Sequence, residues 1–174
     1  MSSETFVSAM LLITGVVAAA ILIVAVLPVI WGMVGTFSSA SAATDRSMRT
    51  DYKIVTTYAK WSSGGATVTV WMKNIGTARI GTNELNLGGD VYVGKSTDFA
   101  RAQYNKNPVP RTSNPVYWNY TLYDLGTGTA NVWDPGETLQ VDTFTNTVTL
   151  AGQLVYFQFT VPSGVSRSAE FTAV

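Results

Sequence analysis

The sequence predicts an α+β chain, with one long N-terminal hydrophobic α-helix followed by an antiparallel β-sandwich. Three observations carry this. No ionised side chain occurs between Glu4 and Asp45, an oil-like run that suits a helix in apolar surroundings. After Asp45 the apolar residues recur at every second position, in short runs bounded by Gly, Pro and Asn. No helical period survives after residue 60. Eight or so short strands with these turn signals make an immunoglobulin-like sandwich the expected form of the second part. The expected division is 1–44 for the helix and 45–174 for the sandwich.

Composition narrows the function. The chain has 174 residues and zero net charge, so it offers no basic patch to neutralise nucleic-acid phosphates. It contains neither Cys nor His, which removes thiol nucleophiles, disulfides, imidazole bases and the usual zinc ligands.

The apolar segment Phe6 to Phe37 is longer than a membrane needs. Its 32 residues would reach roughly 48 Å as a helix, against ~30 Å of bilayer core. No Lys or Arg precedes it, and it exceeds a secretory h-region of about 7–15 residues. No basic residue followed by Gly marks a prepilin-type cleavage site. Ser2 or Ser3 is a candidate cap, and Glu4 suits the positive end of the helix dipole. A second reading of Glu4 is a charge that sets register between subunits. Pro28, with Gly32 and Gly35 close behind, predicts a bend over 28–35. Gly15, Ala18, Ala19 and Ala25 are small enough to let another helix approach closely. The first cations after the run are Arg46, Arg49, Lys53 and Lys60, and by the positive-inside rule they would hold the C-terminal part in the cytoplasm.

Along the second part, strands are expected at 50–59, 66–74, 90–94 and 116–125. Another follows the WDPGETLQV turn, and more lie within 146–152, 153–164 and 168–174. Residues 62–65, SSGG, form a hairpin turn, and 98–104 is either a strand or an extended edge. The proline-rich stretch 105–115 reads as a surface loop. Pro135 and Gly136 predict a type II turn. Trp71 is expected on the face opposite Val70 and Met72. Whether the many aromatics are buried or form a contact surface stays open from the sequence.

Candidate chemistry is sparse. Asp134 and Glu137 flank the DPGE turn and read as a solvated turn more readily than as a calcium or acid–base pair, since calcium-loop spacing is missing. No GxSxG, P-loop or GxGxxG motif occurs. No catalytic residue, cofactor-binding residue or metal ligand is therefore assigned, and the chain is read as a non-enzyme. Asn119-Tyr120-Thr121 is a glycosylation sequon, and Asn119 sits on the polar face of its strand.

The segments DRSMRTDYKIV, VWMKNIGTARI, WDPGETLQV and LVYFQFTVPSGVSRSAEF, placed after a long apolar helix, resemble the archaellum accessory protein G family of methanogenic archaea. That family belongs to the archaellin and type IV pilin-like superfamily. The resemblance runs nearly end to end and implies a structural subunit of the archaeal swimming motor. It implies assembly through the helix, partnership with accessory protein F, and a stator linked to the S-layer. It also implies a domain outside the cytoplasm, at the cell surface, opposite to the positive-inside reading. We follow the resemblance on this point. The alternatives are a bulk archaellin or pilus subunit, which shares the architecture, and a membrane-anchored cell-surface binding module.

Overall fold

The computed structural model describes residues 2–107, 115–124, 126 and 128–174. It divides into two compact units, residues 1–44 and 45–174. The first unit is formed by α1 (Ser2–Arg49), whose final turn belongs to the second. Glu4 stands in its first turn and Arg46 and Arg49 in its last, each charge opposing the end of the dipole it faces. The helix continues through Pro28, Gly32 and Gly35. Its hydroxyls turn back onto the preceding turn. Thr14 donates to the Met10 carbonyl at 2.8 Å, Thr36 to Gly32 at 2.9 Å, and Thr44 to Ala40 at 2.9 Å. These side chains are thereby satisfied without water.

The second unit is a two-layer sandwich. One layer contains β1 (Tyr52–Ser62), β2 (Gly65–Asn74), β8 (Thr138–Thr145) and β6 (Tyr117–Tyr123). The other contains β5 (Asp98–Tyr104), β4 (Asp90–Lys95), β9 (Leu154–Thr160) and β10 (Ser166–Thr172). The strand order is β1-β2-β8-β6-β5-β4-β9-β10. A separate two-strand piece joins β3 (Ile80–Gly81) to β7 (Val132–Trp133). Pairings are antiparallel except for β5 with β6, which run parallel over Gln103–Tyr117 and Tyr104–Trp118. The C-terminus closes the far edge: Val174 donates to the Ala59 carbonyl at 2.9 Å and accepts from Trp61 N–H at 2.7 Å.

Alternation along the strands fills the space between the layers. Val68, Val70 and Met72 of β2 meet Val155, Phe157 and Phe159 of β9 in one core. Trp118, Trp133 and Tyr52 are the largest buried side chains. Phe159 packs edge-on against both Tyr52 and Trp118, with ring centroids 5.8 Å apart in each pair. The sequence left the aromatics open, and the structure divides them. Trp118 and Trp133 are core, whereas Trp71 faces outward, its indole N–H donating to Gln140 Oε1 at 3.1 Å.

Three expectations need correction. Residues 146–152 are not a strand. Val148 is buried there, but Thr147 Oγ1 accepts from Lys95 N–H and Gln153 Oε1 from Thr149 N–H, both at 2.8 Å, so side chains take the place of a ladder. A helix does occur after residue 60: α2 (Thr82–Gly88). It is too short to show periodicity and rests on tertiary anchors, namely buried Leu85 and the Glu84–Arg46 ion pair. The sandwich is also not wholly antiparallel. The proline-rich loop expected over 105–115 lies mostly outside the described residues.

Tyr52 supplies a pH test. Its side chain is buried, and its hydroxyl donates to the Phe159 carbonyl. Burial pushes the phenol above its ordinary range, with nearby Arg167 opposing weakly. A raised folded pKa means the contribution is intact below the unfolded value of about 10 and is lost as pH rises past it. Stability should fall above pH ~10 by up to about 1.4 kcal/mol per unit from this group. Tyr52→Phe should cost about 1 kcal/mol at neutral pH yet flatten the alkaline slope. Urea midpoints between pH 7 and 11 measure both effects.

Candidate functional sites: a motif junction and an exposed apolar helix

Four sequence segments far apart in the chain meet around the end of α1. The Arg49 carbonyl accepts from Thr77 N–H at 2.9 Å and Ala78 N–H at 3.0 Å. The Asp51 carbonyl accepts from Ile75 at 3.0 Å and Gly76 at 2.9 Å. Arg167 Nη2 reaches Asp51 Oδ1 at 2.7 Å. Asn74, only 1% exposed, connects the rest. Its Nδ2 donates to the carbonyls of Ala78 and Trp133, both at 3.0 Å, and its Oδ1 accepts from Gly76 N–H at 3.0 Å. Its backbone donates to the Glu137 carbonyl at 3.0 Å and accepts from Gly136 at 2.8 Å. Thus RTDYKIV, KNIGTARI, WDPGE and SGVSRSAEF form one hydrogen-bonded junction. Gly76 allows this approach, because a Cβ there would lie 2.5 Å from both the Arg49 carbonyl oxygen and Asp51 N.

The DPGE turn has the expected form. Glu137 N–H donates to the Asp134 carbonyl at 3.1 Å, and Gly136 sits at φ 90°. Its expected solvation is wrong. Asp134 is 6% exposed and Glu137 2%. Glu137 Oε2 accepts from Asp134 N–H at 2.9 Å, Asp134 Oδ2 accepts from Thr129 N–H at 2.7 Å, and Arg79 Nε lies 2.9 Å from Asp134 Oδ1. The polarity of the motif suggested solvent, whereas the fold buries it against Asn74, Arg79 and Thr129.

Every described residue of α1 up to Arg46 is exposed within the chain, including Trp31 at 71% and Phe37 at 78%. Glu4, Gly15, Ala18, Ala19, Ala25, Pro28, Gly32 and Gly35 therefore touch no core. A Cβ on Gly15, Gly32 or Gly35 would meet nothing within 4 Å, so the fold of this chain does not require those glycines. At about 100° per residue, the small residues form two patches rather than one stripe. Gly15, Ala18 and Ala19 lie within roughly 100°, with Glu4 on the same side. Ala25, Pro28, Gly32 and Gly35 lie within roughly 80°, centred about 110° away. Around Gly32 the missing side chain opens a shallow apolar groove lined by Val29, Met33, Thr36, Phe37 and Ala40.

Asn119 is half-buried on the outer face of β6, in register with Asp142. Its Nδ2 donates to the carbonyls of Lys106 at 3.4 Å and Asn107 at 3.2 Å. The sequence reading missed Asn74, Gly76 and Arg167. Asn followed two residues later by Gly was the available sign, since Asn side chains bond backbone two residues on.

No family model matches the chain, and no curated protein does. Its structure is similar to a chain of the archaeal flagellum of Methanospirillum hungatei strain JF1, with a TM-score of 0.65 and 16% identity, covering 97% of this chain and 92% of that one. It is less similar to the archaellum periplasmic stator protein FlaG from Sulfolobus acidocaldarius, with a TM-score of 0.49 and 22% identity, covering 70% of this chain and 99% of that one. The archaellum periplasmic stator complex FlaF and FlaG from the same organism gives a TM-score of 0.49 and 25% identity, covering 69% and 87%. The flagellum likeness shows the fold, a long helix followed by a sandwich.

Asn74→Ala should lower stability by several kcal/mol, because it takes the amide donor from the Ala78 and Trp133 carbonyls at the cost of about 1–3 kcal/mol for each unsatisfied group, while Gly76 N–H keeps its bond to the Asp51 carbonyl. Gly76→Ala should cost about 1–3 kcal/mol by overpacking. Thermal unfolding of the full chain in detergent measures both, and an unchanged midpoint in either variant would show that the junction is not a stabilising one.

Proposed function

We propose that this chain is a structural, non-enzymatic subunit of archaellum machinery that assembles through its N-terminal helix. The observation that carries the reading is α1 itself: 48 residues long, apolar, and exposed along its described residues up to Arg46. About 20 residues suffice to cross a bilayer, so the rest of the apolar surface calls for protein cover. The self-bonded hydroxyls, the two small-residue patches and the groove at Gly32 suit a helix that lies in lipid before assembly and in a helix bundle afterwards. The fold likeness to the flagellum spans both units and supports the same reading.

In this reading the sandwich lies outside the cytoplasm, and the helix is anchored in the membrane or buried in a filament. Glu4 faces a neighbouring subunit from the side that carries Gly15, Ala18 and Ala19. An F-type accessory protein and the S-layer are the partners a stator would need. Asn119 carries a glycan once its amide is freed from residues 106–107. The second reading, a bulk filament subunit, is favoured by the extent of the flagellum likeness, which includes the helix.

Mass spectrometry of sheared filaments separates the two, since a bulk subunit dominates the sample and an accessory subunit does not. Normal swimming in a deletion strain would falsify both. At Gly15 and Ala19, Leu should cut filament or oligomer formation by tenfold or more, seen by sedimentation. Gly15→Leu should at the same time raise helix propensity by about 0.8 kcal/mol, so lost assembly could not be ascribed to a weakened helix. Intact assembly in both variants would rule out close packing at this patch.

A further inference from the structure

We propose that Arg46, Arg49 and Arg79 form a binding site for the phosphate of an anionic lipid headgroup. The inference rests on the reading of α1 as a membrane helix before assembly. In that reading Arg46 and Arg49, the first cations after the uncharged run, stand at the wrong end. Cations beside a span favour the cytoplasmic side, so a sandwich held outside needs a counter-anion for them on the outer side. The helix dipole accounts for only two of the three, since Arg46 and Arg49 stand in the last turn of α1. Arg79 comes from the loop before β3, where no dipole calls for it.

The three guanidinium groups surround one groove. It has a volume of about 360 Å³, and its walls are Asp45, Arg46, Arg49, Thr77, Ala78 and Arg79. The charged side chains on those walls are thus three cations and one anion. The Arg49 carbonyl accepts from Thr77 N–H at 2.9 Å and from Ala78 N–H at 3.0 Å, which fastens one wall to the other. Among the described residues, each guanidinium places one nitrogen against a carboxylate. Arg46 Nη2 meets Glu84, Arg79 Nε lies 2.9 Å from Asp134, and Arg49 Nη1 stands a loose 3.7 Å from Asp45. Glu84 and Asp134 do not line the groove. The other two nitrogens of each guanidinium are donors for a further oxyanion.

Chemistry selects a phosphate, and position selects a lipid. Planar guanidinium forks bind phosphate oxygens through paired, charge-assisted hydrogen bonds. The walls hold no aromatic side chain, so nothing there stacks on a nucleotide base. No charge stands between Glu4 and Asp45, so a span of about 20 residues is free to end close to the first residue of the groove. The Ser and Ala residues over 38–44 allow this. Ser39 donates to the Gly35 carbonyl at 3.1 Å and Thr44 to the Ala40 carbonyl at 2.9 Å, so these hydroxyls enter a headgroup layer already paired. Cations just beyond a span attract anionic lipid. A zwitterionic headgroup brings its own cation and competes poorly.

The test uses the full-length chain. Flotation with vesicles of phosphatidylcholine, alone or mixed with phosphatidylglycerol, reports the span. Native mass spectrometry in detergent, with both lipids added, reports the site. Phosphatidylglycerol should be retained over phosphatidylcholine by roughly tenfold or more, since each cation near an anionic surface is worth about fivefold. Arg49→Gln, at an exposed position, should cut that preference about fivefold. Arg79→Lys, which keeps a charge beside Asp134 but loses the fork, should also reduce it. Both variants should float with phosphatidylcholine vesicles as wild type does. Inorganic phosphate should not displace the lipid, and full displacement would show an adventitious ion site only and overturn the assignment to lipid. Flotation of wild type with neither vesicle would overturn the membrane reading and this site with it. Flotation with both, but equal retention of the two lipids or a preference unchanged in both variants, would overturn the site alone.

Discussion

The sandwich depends on one buried amide. Asn74 sits at the end of β2, where a strand must stop and the chain must turn. Its side chain bonds one carbonyl and one N–H of the 74–78 loop and one carbonyl of β7. No apolar residue could do this, and a polar side chain other than an amide lacks the combination of two N–H donors and one acceptor. Because the 74–78 loop in turn holds the carbonyls of Arg49 and Asp51, the same amide sets where the last turn of α1 gives way to β1. The core aromatics Tyr52 and Trp133 pack on each other directly beneath, with ring centroids 5.8 Å apart. Polar bonding at the junction and apolar packing in the core therefore reinforce one another.

The helical unit follows the opposite logic. Its surface is apolar nearly all round, and its hydroxyls are spent on its own backbone. Such an element gains nothing by facing water, since burial of apolar surface is what drives association in a protein bundle, while lipid removes the penalty without it. Its glycines meet nothing in their own chain. A glycine that the fold does not need, in a helix where it lowers propensity by about 1 kcal/mol, is best understood through what packs against it.

The carboxylates at the DPGE turn show how position overrides residue type. Asp and Glu are almost never fully buried unless paired. Here Asp134 pairs with Arg79 and a loop amide, and Glu137 caps the turn through one oxygen. The turn is thus a structural element of the junction as well as a bend.

Local pattern determined much of this protein. Charge absence between Glu4 and Asp45 and the two periodicities sufficed for one long helix, most of the strands, the SSGG hairpin and the type II turn, because each depends on residues only a few positions apart. Tertiary structure decided the remainder. It made α2 from seven residues by burying Leu85, denied residues 146–152 a ladder by giving their backbone side-chain partners, and set β5 beside β6 in parallel. It also put Asp134 and Glu137 in the interior. These outcomes rest on contacts between residues some 40 to 120 positions apart, such as Arg46 with Glu84, Lys95 with Thr147, Asn74 with Trp133 and Asp51 with Arg167. Periodicity reports which face of an element is apolar, and it carries no information about which distant loop will cover a polar one.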